Sequence, residues 1–304
     1  MTFQLLLTQF LAARQSKACH AVYAGIAKRH FASWNKWPTM ADIEDWHASL
    51  EQTPHHGNKG LVLLKAMFTW GVRRGLVKDN PAKLVKRHKV FSREMVMTSE
   101  QISLFLNCLD LMHPKMAAIG QVLLTTGCRL SEAREMKKTH VNWMTGQWYQ
   151  PHTKNGKPHT TYLPTQARHA IQSLSSKTEY VFAGAYEHCW SRPGVEKVWG
   201  QTRKALGMDS IRLHDFRRTL STFLHEATHD DFLVKKCINH HVQSVSGIYI
   251  RVRYEHVAQA LQAQADRFYQ LAKDIPHDTR PQFETELQRV SVRDEGSVET
   301  PRSV

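Results

Sequence analysis

Arg129, Lys154, His214, Arg217, His240 and Tyr249, taken in chain order, supply two guanidiniums, an ammonium, two imidazoles and a phenol. Cutting and rejoining a phosphodiester without metal requires a nucleophile, positive charge on the non-bridging oxygens and an acid for the departing oxygen. Arg129 and Arg217 are the candidates for the charge, because planar guanidiniums donate paired hydrogen bonds to a phosphoryl group and stay protonated at cellular pH. A surface arginine paired with an acid is the plainer reading of Arg129. Its place after Thr126-Gly127 and before Ser131, read as an N-cap, nevertheless puts it at a helix start that attracts phosphate. Tyr249 is the candidate nucleophile. A phenol of pKa about 10 needs a base or a strong positive field before it attacks. His214 is the nearest candidate base, and the two arginines supply the field.

The first arginine lies in Thr126-Gly127-Cys128-Arg129-Leu130-Ser131-Glu132 and the second in His214-Asp215-Phe216-Arg217-Arg218-Thr219, while Tyr249 follows His240 by nine residues. Each motif alone occurs by accident in many chains. As an ordered set of six they resemble the tyrosine recombinase (phage integrase) family, over roughly residues 3–272. The resemblance implies a 3′-phosphotyrosyl intermediate formed by Tyr249, with Lys154 protonating the leaving 5′ oxygen and His240 donating to the phosphate and orienting the tyrosine. Tyr254 is a rival nucleophile without the family's spacing from His240, and Lys157 is the alternative to Lys154. Asn239 stands where the family usually has glycine, a residue type that takes a left-handed turn at small cost. Glu132 and Asp215 are read as buttresses of the arginines and His214, or else as plain helix-start carboxylates.

The implied activity is site-specific DNA recombination or integration on double-stranded DNA with inverted-repeat sites, by a homotetramer on paired sites, with room for accessory proteins. Neither cofactor nor metal is expected. Two other readings stay open: type IB topoisomerase-like or hairpin-forming resolvase activity, and a catalytically silent DNA-binding relative. A different enzyme class is raised by His225-Glu226-Ala227-Thr228-His229, an HExxH that on a helix places two imidazoles on zinc. Among 19 histidines an accidental match is easy, and Thr228 sits where the helix is expected to stop.

A formal charge of +14 points to a polyanionic partner, and 41% hydrophobic residues mark a globular chain. From Lys273 onward five basic residues face seven acidic ones, so the positive excess lies in residues 1–272. The five scattered cysteines contain no CxxC pair, which argues against a disulfide framework or a cysteine zinc site and fits a reducing cytoplasm. No apolar run is long enough to span a membrane. Together with these features, the resemblance implies a cytoplasmic, nucleoid-associated protein of a prokaryote or phage.

The expected fold class is mainly α: a helical core-binding domain, then a mainly helical catalytic domain with a small antiparallel sheet, the integrase catalytic fold. Residues 1–93 form the first, ending in a basic linker from about 83; residues 94–272 form the second; residues 273–304 read as a disordered tail. In the first, Leu61, Leu64, Phe68 and Val72 make a helical stripe stopped at Gly75. Lys65, Arg73, Arg74, Lys86, Arg87 and Lys89 are its candidate DNA contacts, and Trp70 reads as packing. In the second, Val141–Met144, Gln147–Pro151 and His159–Leu163 read as short strands, with the Asn155-Gly156 turn placing Lys154 at a hairpin tip. Val257, Leu261, Ala265 and Phe268 form a last stripe, suited either to its own core or to a neighbouring protomer.

Overall fold

The computed structural model of the chain describes residues 1–16, 19–91, 93–154, 156–185, 187–240, 252–275, 283 and 287. The chain divides into two compact units, residues 1–93 and 94–304.

The first unit is four helices: α1 (Phe3–Ala12), α2 (His20–His30), α3 (Met40–Ala48) and α4 (Pro54–Arg73). Thr2 caps α1 by accepting from the Leu5 N–H, and Thr39 and Asp42 form a reciprocal capping box on α3. Pro54, with no N–H to leave orphaned, lies in the first turn of α4. Leu61, Leu64 and Phe68 are buried as their spacing predicts, joined by Leu63 and Met67, whereas Val72 is exposed. They meet Phe3, Leu6, Leu7 and Phe10 of α1 and Phe31 after α2. A Cβ at Gly71 would lie 2.9 Å from Val77 and 3.1 Å from Leu6, so its hydrogen sets how closely α1 and α4 approach. Gly75, with φ +67°, terminates the helix. The following segment is then held to the unit by side chains: Lys65 Nζ donates to the Val85 carbonyl (2.7 Å), and the Asn58 amide both donates to the His88 carbonyl and accepts the His88 N–H (2.9 Å each).

The second unit contains α5 (Ser99–Asn107), α6 (Pro114–Thr126), α7 (Leu130–Arg134), strands β1 (Gln147–Gln150) and β2 (His159–Tyr162), α8 (Thr165–Gln172), α9 (Arg192–Ala205), α10 (Leu213–Thr228), α11 (Asp231–Cys237) and α12 (Tyr254–Asp274). The mainly helical class with a small antiparallel sheet is as the sequence predicts. Helix α6 is its axis, buried without interruption from Met116 to Thr126, as a helix apolar on nearly every face must be. Its few polar side chains are satisfied locally: Gln121, Thr125 and Thr126 each donate to the carbonyl four residues back, and Tyr269 donates to Gln121. Helices α8, α10 and α12 pack around it.

One expectation changes in detail. Val141–Met144 is no strand: Val141 makes one isolated bridge to Trp148, and the Asn142 side chain accepts the N–H groups of Met144 and Thr145, closing a turn there. The sheet is therefore two-stranded, with Gln147 opposite Tyr162 and Gln150 opposite His159. The last stripe is internal: Val257, Leu261, Ala265 and Phe268 are all within 1% of full burial in their own unit. Most of 273–304 lies outside the described residues. Within it Lys273 and Asp274 complete α12, and Phe283 and Leu287 pack against the core of the second unit. Among the described residues no helix is long and apolar enough to cross a membrane.

Candidate active site at the Gly127 turn

Helix α6 ends at Gly127, whose φ of +62° reverses the chain. A Cβ there would meet Ile238 Cγ2 and Leu220 Cδ2 at 2.9 Å each, so glycine is required both by the backbone angle and by the closeness of α10 and of the residue after α11. This contact draws three separate stretches of sequence together around Arg129.

Arg129 is the N-cap of α7, two residues earlier than the Ser131 cap read from the sequence. Glu132 accepts its backbone N–H (2.7 Å) through one oxygen and its guanidinium (2.8 Å) through the other. The carboxylate is 4% exposed and the guanidinium 18%, which fixes the arginine while leaving an edge open. Arg217, from the second turn of α10, is buried and donates to the Gly127 carbonyl at 2.7 Å. Burial and the adjacent Arg129 lower its pKa to about 10, still a cation at neutral pH. Two guanidiniums thus converge at one turn, with the buried Glu132 carboxylate as counter-charge.

His214 lies on the first turn of α10, exposed, with a pKa lowered by partial desolvation and by Arg218 and Arg217, so it is neutral and able to accept a proton. Asp215 is buried, accepts the Arg212 N–H (2.8 Å) to cap α10, and pairs with Arg218 rather than Arg217 (2.8 Å). Glu132 holds a site arginine; Asp215 holds the helix that carries His214 and Arg217.

The hairpin brings a residue that the sequence reading missed. His159 on β2 is buried opposite Gln150, in a tight cavity shared with Thr161, Glu132, Cys128, Cys237 and Asn239. Burial, then Lys236, Arg217 and Arg129, push its pKa down to about 4, so it presents a neutral imidazole beside the guanidiniums. Its Nε2, Gln150 Oε1 and Thr161 Oγ1 have no partner among the described residues. The available signal was the alternation of Thr161 and His159 inward on β2, which reads as ordinary packing without the structure. Cys128 and Cys237, raised by burial to about 12 each, stay thiols.

Lys154 is exposed in the connection between β1 and β2, a longer loop than an Asn-Gly hairpin, in which Thr153 accepts the Gly156 N–H at 2.9 Å. Among the described residues it makes no hydrogen bond to either arginine, whose partners are Glu132 and the Gly127 carbonyl. His240 is exposed just after Asn239, whose φ of +52° is the left-handed turn expected there, and its N–H donates to the Lys235 carbonyl (2.8 Å). Tyr249 lies outside the described residues. Tyr254 is at the first turn of α12, with its hydroxyl buried and its pKa raised to about 12 by burial and Tyr162, which makes it a poor nucleophile. His225 pairs with Asp231 (3.2 Å), while His229 lies past the end of α10 in a left-handed conformation. Among the described residues no three metal-ligating side chains converge.

Of the candidate DNA contacts, Arg73, Arg74, Lys86, Arg87 and Lys89 are exposed, with Arg74 stacked over Trp70 at 4.7 Å. Lys65 is not free: it is half-buried and bonded to the Val85 carbonyl, and its pKa is lowered by burial and Arg87.

A mostly helical chain with one antiparallel hairpin is the class of fold seen in solved integrases. The structure is similar to that of a lambda integrase dimer bound to a COC′ core site (TM-score 0.65, 14% identity, 83% of this chain and 99% of that one). It is also similar to the Tn1549 transposon integrase in complex with circular intermediate DNA (TM-score 0.62, 14% identity, 88% and 99% covered). In sequence the chain is similar to tyrosine recombinase XerA of Thermococcus kodakarensis (24% identity, 70% of this chain and 80% of that protein) and to XerC of Yersinia pestis (25% identity, 67% and 70%). Residues 95–256 match the family described as the phage integrase family, and the chain belongs to it.

Proposed function

We propose that the protein is a site-specific DNA recombinase that cuts and rejoins DNA through a 3′-phosphotyrosyl intermediate, with no metal in the step. The observation that carries this reading is the meeting of Arg129 and Arg217 on the Gly127 turn, anchored by Glu132 and a backbone carbonyl. Such a pair holds the non-bridging oxygens of one phosphate and stabilises the charge that grows on them during attack. The Tyr249 hydroxyl attacks phosphorus and passes its proton to His214. The bond to the 5′ oxygen breaks, and that oxygen takes a proton from Lys154. Attack by a 5′ hydroxyl on the phosphotyrosine reverses every transfer and reseals a strand. His240 donates to the phosphate. Residues 1–93 serve as the core-binding domain and 94–272 as the catalytic domain. The partners are double-stranded DNA with inverted repeats and three further copies of the chain, in the cytoplasm of a prokaryotic or phage-infected cell.

Tyr249→Phe tests it. The variant should bind duplex as wild type does yet give no covalent protein–DNA adduct on a nicked suicide substrate, and wild-type adduct should form undiminished in EDTA. Adduct from Tyr249→Phe, or adduct that needs added zinc or magnesium, would overturn the reading.

A further inference from the structure

Phe91 is 91% exposed, in a segment that is anchored rather than loose. The Asn58 side chain grips both backbone groups of His88, and the His88 ring stacks on His47 (centroids 3.8 Å apart) and bonds the His47 carbonyl at 2.8 Å. Three residues beyond that anchor, a benzyl group stands in water beside the half-exposed Val90. In the stretch of chain before it the exposed cations are Lys83, Lys86, Arg87 and Lys89, none in an ion pair among the described residues. No acidic residue occurs from Asn80 to Arg93. The surface therefore offers positive charge and one projecting apolar ring together, on a short tether to a folded unit. Its complement must be anionic at its rim and apolar between the charges. A DNA duplex has that form, with phosphates outside and stacked base faces within, and apolar side chains on minor-groove proteins exploit it by wedging between base steps. Membership of an integrase family favours DNA over an anionic membrane, the other surface of that general form.

We propose that Phe91 is a wedge that enters the duplex between base pairs while Lys86, Arg87 and Lys89 hold the flanking phosphates. This rests on the recombinase reading for its partner but not for its chemistry, since a wedge needs no cleavage. The arrangement gives the ring a separable part in binding. Phosphate contacts release counterions and are salt-dependent; insertion of a ring is not.

The test uses the full-length protein and a mixed-sequence duplex carrying a fluorescent adenine analogue that brightens when unstacked. Wild type should brighten the probe, Phe91→Leu should keep much of that signal, and Phe91→Ala should lose it. Phe91→Ala should bind roughly tenfold more weakly, with the slope of log affinity against log salt unchanged. Lys86→Ala should reduce that slope by about 0.9 while the probe still brightens. The wedge is overturned if Phe91→Ala brightens the probe like wild type, if its salt slope falls as a cation variant's does, or if it melts earlier than wild type with DNA binding unaltered. Binding to phosphatidylserine vesicles that depends on Phe91, in place of duplex, would also overturn it. The two readings fail separately: wild type that forms covalent adduct without brightening the probe removes only the wedge, whereas wild type that brightens the probe but never forms adduct removes only the recombinase.

Discussion

In residues 1–93 the cations Arg73, Lys86, Arg87 and Lys89 stand in solvent with no ion pair among the described residues, whereas in residues 94–304 Arg217 is buried on a backbone carbonyl and Arg129 is tied to Glu132. The same charge is used in two ways. An exposed lysine on a flexible stem costs little to keep, suits phosphate in many positions, and is weakened by salt. A desolvated guanidinium with a fixed partner is costly, but it presents its fork in one orientation, which a single reacting phosphate requires and a tract of duplex does not. The buried polar groups are reversed as well. The first unit pairs histidine rings, His30 with His56 (Nε2 to Nε2, 2.6 Å) and His47 with His88, where the second pairs ions.

The largest effect expected from this contrast is on cleavage. Arg217→Ala and Arg129→Ala should each lower the rate of adduct formation by roughly a hundredfold to a thousandfold, with duplex affinity changed only a few-fold. Single alanine substitutions at Arg73 or Lys89 should do the opposite, lowering affinity and leaving the rate at saturating DNA unchanged. If Arg217→Ala lost affinity in proportion to rate, its guanidinium would be one more phosphate contact and the contrast would collapse.

Two glycines in left-handed conformation make a second comparison. Gly75 has open space where a Cβ would go, so Gly75→Ala should cost only the backbone term, about 1 kcal/mol. At Gly127 the same angle is combined with Ile238 and Leu220 at 2.9 Å, and overpacking adds roughly 1–3 kcal/mol. Chemical denaturation of the two variants measures the difference. Cleavage should fall in Gly127→Ala alone, because shifting α10 there moves Arg217.

What the sequence made legible follows the range over which the information acts. Helix spacing and capping signals such as Thr39-to-Asp42 are local, and the mainly helical class with a small sheet follows from them. The stretch 141–144 was misread because Val141 and Trp143 alternate like a strand, while the deciding contact is the Asn142 side chain on the next two N–H groups. Arg129 and Arg217 stood out by motif, but their partners did not: that Glu132 takes both bonds from Arg129, and Asp215 takes Arg218, is settled by rotamers. His159 was invisible since nothing local marks an inward histidine on a strand as the neighbour of arginines far away in sequence. The bond made by Lys65 was hidden for a similar reason, that its partner at Val85 lies beyond the helix that carries it.

Histidine gives a pH test of the same contrast. Folding lowers the pKa of His30 and His47 through burial and their histidine neighbours, and that of His159 to about 4. The unfolded chain therefore binds more protons, so stability from these residues is complete above about pH 6.5 and drains away as the pH falls below it. In hydrogen exchange read separately for the two units, both should lose protection on acidification. His159→Leu, which removes a buried ring nitrogen without a partner among the described residues, should blunt the loss in residues 94–304 and leave that of residues 1–93 untouched. Equal blunting in both units would show that protons act through global charge instead.

The smallest effect separates two lysines that the sequence cannot tell apart. Lys65 and Lys89 are both basic and both lie in the first unit, but Lys65 spends its ammonium on the Val85 carbonyl while Lys89 is exposed with no ion pair among the described residues. If exposure decides which cations meet phosphate, Lys89→Ala should lower the salt slope of duplex binding by about 0.9 without altering stability. Lys65→Met keeps much of the stem and removes the bond, so it should leave the slope alone and cost about 1 kcal/mol in stability, the net worth of one such hydrogen bond. The opposite assignment, a slope lowered by Lys65→Met and unmoved by Lys89→Ala, would mean that Lys65 leaves Val85 when DNA binds, and that the anchored segment from Ala82 to His88 is itself released on the duplex.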